Sequence, residues 1–365
     1  MRSLIPTLSL VLLVLSISAC EGCDADALGR VPQPGGIQGR ICDPSVEKEG
    51  IFGARVYVAV ANGDQTTREI ATVSSADGSF LLEGVPAGTH TVFVERGSFR
   101  TELPNVEVEE EKITELEPGE CLAPTEVTMT VYRGHDRVED VLGRLGYTDF
   151  TVVETNHRTQ DRDENTPSWI VEAFSNFEDF ANNDILFINC GAHEWALEEA
   201  QTEERALAIE NLRRFVAEGG SIYLSDWSYD LMEELYPDAV DWLGDDEFYN
   251  DAESGVEQFF IGHIVDEQIA GVLGLERASL RYEQNRIAIP LELGAGARAL
   301  IVAGIEVDSD DGNQFFADVP VLLEYQPAVL DFGANPGRII YTTFHNGDTN
   351  TPDMDEVLRA IIYSL

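Results

Sequence analysis

The stretch DILFINCGAH at residues 184–193 and the stretch GGSIYLSDW at residues 219–227 each contain a short apolar run that ends in polar residues. Between them, Leu197–Glu218 carries apolar side chains at helical spacing, and Gly219-Gly220 ends the pattern. A strand, a long helix and a second strand in this order predict a βαβ unit, in which both strands run parallel in one sheet.

The same alternation of strands and helices continues on both sides of this unit. Strands are predicted at Val127–Tyr132, Phe150–Val153, Ile185–Ile188, Ser221–Leu224 and Arg338–Thr343, and helices at Val138–Leu145, Trp169–Phe180, Leu197–Glu218 and Met354–Leu365. We therefore expect residues 125–365 to form an α/β domain around a mostly parallel open sheet. An acidic insertion at about residues 237–335 interrupts this alternation.

The order of these elements resembles a known family. The chain resembles the class I glutamine amidotransferase-like fold, which is flavodoxin-like, and its trehalose-utilisation (ThuA-type) branch. The resemblance rests on the order strand, helix, DILFINCGAH, long helix, GGSIYLSDW, insertion and GRIIYTTFHNGD (residues 337–348). The resemblance implies a nucleophilic cysteine where this sequence has Asp226, and a base histidine that His345 matches. The acid expected two residues later is replaced by Gly347, and Asp348 follows. Because a carboxylate cannot act as a thiolate nucleophile, we expect amidotransferase chemistry to be lost.

Polar residues follow several predicted strands, at the edge where ligands bind in open α/β sheets. The expected crevice is lined by His135, Cys190, His193, Glu194, Asp226, Trp227, His345 and Asn346. It fits a small-molecule or divalent-ion site or a vestigial pocket, and the catalytic candidates are His345, Asp226 and Asp348. Cys190 follows an apolar run and is expected to be a buried free thiol rather than a nucleophile.

Residues 37–122 show short alternating apolar runs separated by turn residues, which predict an all-β sandwich of the prealbumin or immunoglobulin-like kind. Four blocks resemble the carboxypeptidase regulatory-like (transthyretin-like) domain, namely Ile37–Ile41, Gly53–Val56, Ala76–Phe80 and Gly84–Thr89. The resemblance implies an adhesive or spacer module without catalytic groups. The acids within Glu107–Glu111 are expected to lie on a solvated edge strand.

The N-terminus has the pattern of an export signal. Residues 1–19 contain one Arg and the apolar run Leu8–Ile17, and Ile17–Cys20 resembles the bacterial lipobox. The resemblance implies cleavage before Cys20 and lipid attachment to its sulfur, which would anchor the chain stably when two or three acyl chains are present. Residues 20–36 then form a tether. The expected location is the cell envelope, at the periplasmic or outer face of a bacterial membrane.

Export would place the remaining cysteines in an oxidising compartment. Cys42 and Cys121 lie near the two ends of the predicted sandwich, whose first and last strands can lie side by side. We therefore expect a Cys42–Cys121 disulfide, whereas Cys23 has no evident partner.

The chain is strongly acidic, with 23 Lys and Arg against 67 Asp and Glu and a net charge of −44. Such a surface repels nucleic acid phosphates, which excludes nucleic acid as an expected partner. No cofactor is expected, although Asp308, Asp310 and Asp311 offer oxygen ligands of the kind that Ca²⁺ prefers. Their spacing does not follow the EF-hand order, so a solvated hairpin loop is the alternative interpretation.

Three hypotheses on function remain. The first is a lipid-anchored, non-catalytic protein in which a sandwich stalk presents a binding domain for a small molecule or glycan. The second is a surface hydrolase or sugar-processing enzyme of the trehalose-utilisation type that uses His345 with Asp226 or Asp348. The third is a structural protein of the cell envelope whose second domain binds another envelope protein.

Overall fold

The computed structural model describes most of the chain between residues 33 and 365. The described residues are 33–42, 50–61, 66–116, 127–155, 169–190, 202–244, 252, 256–283, 288–308, 312–328, 336–347 and 349–365. More of them lie in strands than in helices, and they form a sandwich unit followed by a unit built on one large sheet.

The described residues of the N-terminal unit form seven strands in two sheets. They are β1 (Gly35–Arg40), β2 (Arg55–Ala61), β3 (Thr67–Val73), β4 (Ser79–Val85), β5 (Gly88–Arg96), β6 (Phe99–Val108) and β7 (Ile113–Glu115). One sheet has the order β4-β1-β7 and the other β3-β2-β5-β6. Alternate side chains such as Ile37, Val56 and Val92 are fully buried between the sheets, which confirms the predicted β-sandwich.

The first and last strands of the sandwich are hydrogen-bonded neighbours, and they run parallel. Ile37 pairs with Thr114, and Gln38 pairs with Glu115. The C-terminal ends of β1 and β7 therefore point in the same direction. Strand β6 lies at the edge of its sheet, and Glu107 is exposed there as predicted. The strand ends at Val108, so Glu109–Glu111 are exposed but follow the edge strand instead of lying in it.

The second unit is built on a nine-stranded sheet that is mixed, not mostly parallel. Its strands and the two strands of a separate small ribbon are β8 (Met129–Tyr132), β9 (Thr151–Val153), β10 (Ile185–Ile188), β11 (Ser221–Ser225), β12 (Val240–Trp242), β13 (Gln258–Ile264), β14 (Arg277–Tyr282), β15 (Pro290–Leu293), β16 (Ala297–Val307), β17 (Gln314–Tyr325) and β18 (Ile339–Thr342). Strands β9, β8, β10, β11 and β18 are parallel neighbours in that order.

The acidic insertion supplies the antiparallel part of this sheet. Strand β17 pairs with β18, and β16, β13 and β14 extend the sheet in that order. The prediction of a mostly parallel sheet is wrong in this half. Its physical reason is that β16 and β17 form a hairpin that can continue the sheet without a helical crossover, because antiparallel strands need only a short connection.

Six α-helices accompany the strands in the described part of the second unit: α1 (Val138–Leu145), α2 (Trp169–Phe174), α3 (Thr202–Ala217), α4 (Tyr229–Leu235), α5 (Glu267–Leu273) and α6 (Pro352–Ile362). The predicted bounds of α1 are confirmed, and Gly146 ends it in the left-handed conformation at φ 97°. The helix predicted at Trp169–Phe180 is shorter, because a 3₁₀ turn at Phe177–Asp179 follows α2. Helix α6 begins earlier than predicted, at Pro352 behind the capping hydroxyl of Thr351.

The two units pack against each other. Arg96 at the end of β5 donates a hydrogen bond of 2.5 Å to Gln268 in α5, and Ser98 donates one of 2.8 Å to the carbonyl of Leu365. The ring of Phe52 lies directly over Gly271 of α5. None of the helices in the described ranges is long and apolar enough to span a membrane.

Candidate functional site

The parallel strands bring four titratable side chains together at their carboxyl edge. Asp136 follows β8, Cys190 follows β10, Asp226 follows β11 and His345 follows β18. Parallel neighbours end at the same edge of a sheet, which is where open α/β sheets place their ligands. We call these four residues the Asp226 cluster.

Asp226 occupies a strained turn between a buried strand and a helix. Its φ is +44°, in the left-handed region that side chains other than glycine rarely adopt. A short 3₁₀ turn at Asp226–Ser228 leads directly into α4. The Tyr341 hydroxyl donates a hydrogen bond of 2.6 Å to the Asp226 carbonyl and so fixes this turn. A nucleophile elbow has this strand–turn–helix form, but here the turn carries a carboxylate.

The Asp226 carboxylate is the centre of the cluster. His345 Nε2 lies 2.6 Å from Asp226 Oδ2, and the Cys190 thiol donates a hydrogen bond of 3.3 Å to the same oxygen. His345 Nε2 also lies 3.6 Å from Asp136 Oδ1. All four side chains are buried, and the exposed fraction of Asp226 is only 1%.

Hydrogen bonds from neighbouring residues hold the backbone around the cluster. The Ser225 hydroxyl accepts a hydrogen bond of 3.0 Å from the Cys190 amide. Asn346 donates one of 2.6 Å from its side chain to the Tyr223 hydroxyl, and its carbonyl accepts one of 2.8 Å from the Arg137 amide. Asn346 therefore joins the loop after β18 to the neighbouring strand and loop.

Burial and mutual charge shift the pKa values of the cluster. Burial raises the pKa of Asp136 to about 7 and also raises that of Asp226, while the charge of His345 acts in the opposite direction on both. Burial, assisted by the Asp226 charge, raises the pKa of the Cys190 thiol to about 12. Burial alone would lower the pKa of His345, but the anionic groups around the ring raise it well above its ordinary value. These shifts favour a protonated thiol at Cys190 and a protonated ring at His345, and the positive charge of that ring favours the ionised form of Asp226.

Three of these groups could contact one cation. The ligand atoms of Cys190, Asp226 and His345 lie within 4.8 Å of one another. Sulfur, oxygen and imidazole nitrogen are ligands that Zn²⁺ accepts. A cation would have to displace the contact between His345 and Asp226, because it would use the same atoms.

The raised pKa of Asp136 predicts a pH-dependent stability. Between about pH 4 and pH 7 the folded chain keeps a proton that the unfolded chain releases, so stability falls as pH rises through this range. Asn cannot ionise and has nearly the same shape. We therefore expect Asp136→Asn to be more stable than the wild type at pH 8, by a few kcal/mol, and to lose this advantage near pH 4. Urea unfolding at both pH values measures the difference, and an advantage independent of pH would contradict the burial of this charge.

Other residues of the predicted crevice have different surroundings. His135 is exposed at the protein surface, whereas Trp227 is buried with its ring against Tyr229. His193, Glu194 and Asp348 lie outside the described residues. Asp308 is exposed at the end of β16, and Asp310 and Asp311 lie outside the described residues, so the suggested Ca²⁺ loop stays a prediction.

Asp136 is the member of the cluster that the sequence interpretation missed. It follows Arg133, Gly134 and His135 after β8, at the same edge as Asp226. The available signal was its place after a predicted strand, but a single acid in a polar loop is usually solvated.

Comparisons with known proteins identify one part of the chain. Residues 36–118 match the family model of the carboxypeptidase regulatory-like domain. No curated protein matches the chain.

Several solved structures resemble the chain at low identity. The mmIFT52 N-terminal domain is 12% identical, with 65% of this chain and 95% of that chain covered and a TM-score of 0.38. A "putative gmp synthase subunit a protein" from Thermoplasma acidophilum is 13% identical, with 65% and 93% covered and a TM-score of 0.37. The β-galactosidase from Rahnella sp. R3 is 14% identical, with 65% and 31% covered and a TM-score of 0.33. At these TM-scores none of the three similarities establishes an activity. The family match, together with the two packed sheets, identifies residues 36–118 as a carboxypeptidase regulatory-like domain.

Proposed function

We propose that this chain is an exported, lipid-anchored protein of a bacterial cell envelope, in which the sandwich is a stalk and the second unit is a non-catalytic binding domain. The proposal that the second unit is non-catalytic rests on the chemical identity and the burial of Asp226. The residue at the elbow is a buried carboxylate, and it lies 2.6 Å from the only histidine that follows β18.

The strand order supports an origin of the second unit in the flavodoxin-like, amidotransferase-like class. Numbered along the chain, the parallel strands β8, β9, β10, β11 and β18 have the spatial order 2-1-3-4-5. This is the order of flavodoxin-like sheets, whose ligands bind at the carboxyl ends of the strands. On this proposal the left-handed turn at Asp226 corresponds to the position of the amidotransferase nucleophile.

The protonation states of the cluster argue against catalysis. A general base must be neutral to accept a proton, but the anionic surroundings of His345 raise its pKa and keep the ring charged. A cysteine nucleophile must reach its thiolate form, but burial raises the pKa of Cys190 to about 12. Neither group is therefore prepared for acyl transfer or hydrolysis.

A turnover assay with the purified full chain tests this proposal. Glutamine, p-nitrophenyl acetate and p-nitrophenyl glycosides represent amide, ester and glycoside substrates. We expect no turnover above background for the wild type and the same result for His345→Gln. Turnover of any of the three that His345→Gln abolishes would overturn the non-catalytic proposal.

The same assay tests the alternative hypothesis that the chain is a surface hydrolase or sugar-processing enzyme. The contact between His345 and Asp226 favours that rival, because a carboxylate beside a histidine is the orienting pair of many hydrolases. The burial of both groups disfavours it. The third hypothesis, a structural envelope protein, shares the absence of turnover and differs only in having another envelope protein as its partner.

Lipid anchoring rests on the sequence around Cys20, which lies outside the described residues. We expect wild-type protein to fractionate with membranes and to carry acyl mass at its N-terminus. Cys20→Ser removes the sulfur that would be acylated, so the variant should be released in soluble form or keep its signal segment. Fractionation and mass spectrometry measure both properties. Lipid anchoring would be contradicted if the Cys20→Ser variant fractionated with membranes as the wild type does and the wild type carried no acyl mass.

The proposed Cys42–Cys121 disulfide would close the sandwich. Cys121 lies outside the described residues, so this pairing stays a prediction. It is supported by the parallel pairing of β1 and β7, because Cys42 follows β1 in the sequence and Cys121 comes six residues after Glu115, the last residue of β7. Non-reducing peptide mapping should find one peptide pair joined through these two residues. Recovery of both as free thiols would contradict it.

A further inference from the structure

The Asp226 cluster holds more acidic groups than basic ones. Two carboxylates and one thiol face a single imidazole, and all four side chains are buried. Among the described residues, no Lys or Arg side chain forms an ion pair with either carboxylate. Burying a carboxylate without a full counter-charge is costly, so a bound cation would stabilise this arrangement.

Three atoms of the cluster have nearly the spacing of ligands on one tetrahedral ion. Ligand–metal distances of about 2.3 Å for sulfur and about 2.0 Å for nitrogen and oxygen place neighbouring ligand atoms about 3.3–3.5 Å apart. Cys190 Sγ lies 3.3 Å from Asp226 Oδ2, and all three candidate ligand atoms lie within 4.8 Å of one another. His345 Nε2 is 2.6 Å from Asp226 Oδ2, because these two atoms are in direct contact. An ion that binds both has to part them by only about 0.7 Å.

The chain holds these atoms in place before any ion binds. The residues of the cluster follow four adjacent parallel strands of the sheet, β8, β10, β11 and β18. The Tyr341 hydroxyl fixes the left-handed turn at Asp226, and the Ser225 hydroxyl accepts a hydrogen bond from the Cys190 amide. Ligands that are already in position lose little conformational entropy on binding, which favours a tight site.

The kinds of ligand atom select the ion. A cysteine sulfur and an imidazole nitrogen suit Zn²⁺, whereas Mg²⁺ and Ca²⁺ prefer oxygen ligands. We infer that the Asp226 cluster binds one Zn²⁺ through Cys190 Sγ, the Asp226 carboxylate and His345 Nε2. Asp136 Oδ1, at 3.6 Å from Nε2, places a further carboxylate beside the ion. This inference rests on the proposed function, because it names the ligand of the proposed binding domain.

Binding exchanges two protons for one ion. Cys190 releases its thiol proton and His345 releases one ring proton, both to the solvent. The resulting thiolate, the Asp226 carboxylate and the neutral imidazole carry two negative charges, which match the charge of Zn²⁺. The ion replaces the contact between His345 and Asp226, so measurements of that ion pair use the EDTA-treated chain.

Calorimetric titration of the EDTA-treated and dialysed full chain tests the inference. We expect saturable binding of one Zn²⁺ per chain and at least tenfold weaker binding of Mg²⁺, which would leave the thiol and the imidazole unused. Absence of saturable Zn²⁺ binding, or binding of Mg²⁺ as tight as that of Zn²⁺, would overturn the inference.

Titration with Co²⁺ shows whether the thiol is a ligand. A cysteine thiolate bound to Co²⁺ gives a charge-transfer absorption in the near ultraviolet, which nitrogen and oxygen ligands do not give. Cys190→Ser should abolish this absorption. Cys23→Ser is the same substitution in the predicted tether and should leave it unchanged. An absorption that survives Cys190→Ser would overturn the site.

Two histidine variants locate the nitrogen ligand. His345→Gln should weaken Zn²⁺ binding at least tenfold, and His263→Gln, at an exposed position of β13, should leave it unchanged. Thermal unfolding of both variants without metal shows whether each is folded. If His345→Gln does not fold, Cys190→Ser replaces it in the Zn²⁺ titration. Undiminished Zn²⁺ binding by the folded variant used would overturn the site.

Turnover assays with the Zn²⁺-loaded chain separate this inference from the proposed function. Binding without turnover agrees with both. Binding with a turnover that His345→Gln abolishes would overturn the non-catalytic proposal and support the metal site. Absence of both binding and turnover would overturn the metal site and agree with the non-catalytic proposal.

Discussion

Replacing His345 with alanine will lower the free energy of unfolding by about 3–5 kcal/mol, which is the usual cost of removing one partner of a buried ion pair. The reason is that Asp226 and Asp136 would remain buried without the imidazolium that lies 2.6 Å and 3.6 Å from their oxygens. The exposed fractions of both acids are only 1%, so water cannot replace the lost charge. Urea unfolding at pH 7 measures the effect.

A matched control and a double variant separate the ion pair from packing. His263 in β13 is exposed, and His263→Ala should change the free energy of unfolding by less than about 0.5 kcal/mol. Asp226→Asn combined with His345→Gln removes both charges together, and it should cost less than the sum of the single variants. Asn also tolerates the left-handed φ of position 226. Equal costs for His345→Ala and His263→Ala would contradict the buried pair.

Gly134→Ala should produce the second large loss, because this position has no room for a side chain. A Cβ there would lie 2.3 Å from the Cys190 carbonyl oxygen and 2.9 Å from Asn189. That carbonyl is held by a hydrogen bond of 2.8 Å from the His135 amide, so the backbone cannot simply move away. We expect a loss of about 2–3 kcal/mol, at the upper end for overpacking.

Gly143→Ala is the matched control for this substitution. Gly143 lies inside α1, and a Cβ there would contact nothing within 4 Å. Alanine favours a helix interior over glycine by up to about 1 kcal/mol, so this variant should be more stable than the wild type. Thermal unfolding of the two variants side by side should give shifts of opposite sign. Shifts of the same sign would contradict the close approach of the loops after β8 and β10.

The parallel half of the sheet could be predicted from sequence because its strands are buried on both faces. Ile185–Ile188 and Ser221–Ser225 are continuous buried runs, and such runs are visible without knowledge of their partners. The antiparallel half was not predicted, since β17 begins with exposed residues and ends with buried ones. Its pairing with β18 is a long-range contact that no local pattern specifies.

The site shows the same division between local and long-range information. The positions of Asp226 and His345 follow from the end of a strand and from the family resemblance. The closed ion pair, the role of Asp136 and the burial of Arg96 depend on how distant segments pack. Arg96 stands in a polar turn segment, where an arginine is usually solvated. The packing of the sandwich against the second unit, where Arg96 donates a hydrogen bond to Gln268 of α5, depends on residues distant in sequence.

The protonation state of His345 decides whether the Asp226 cluster can take part in catalysis. We propose that this ring is a buried imidazolium paired with Asp226, and that it is therefore unable to act as a base. Nitrogen-15 NMR of histidine-labelled full chain, with the signal assigned by its absence in His345→Gln, reports both ring nitrogens during a pH titration. We expect both nitrogens to remain protonated at pH 8, because the anionic neighbours raise the pKa of His345 well above its ordinary value. A ring that has lost a proton by pH 7 would show that His345 is free to act as a base and would contradict the buried ion pair.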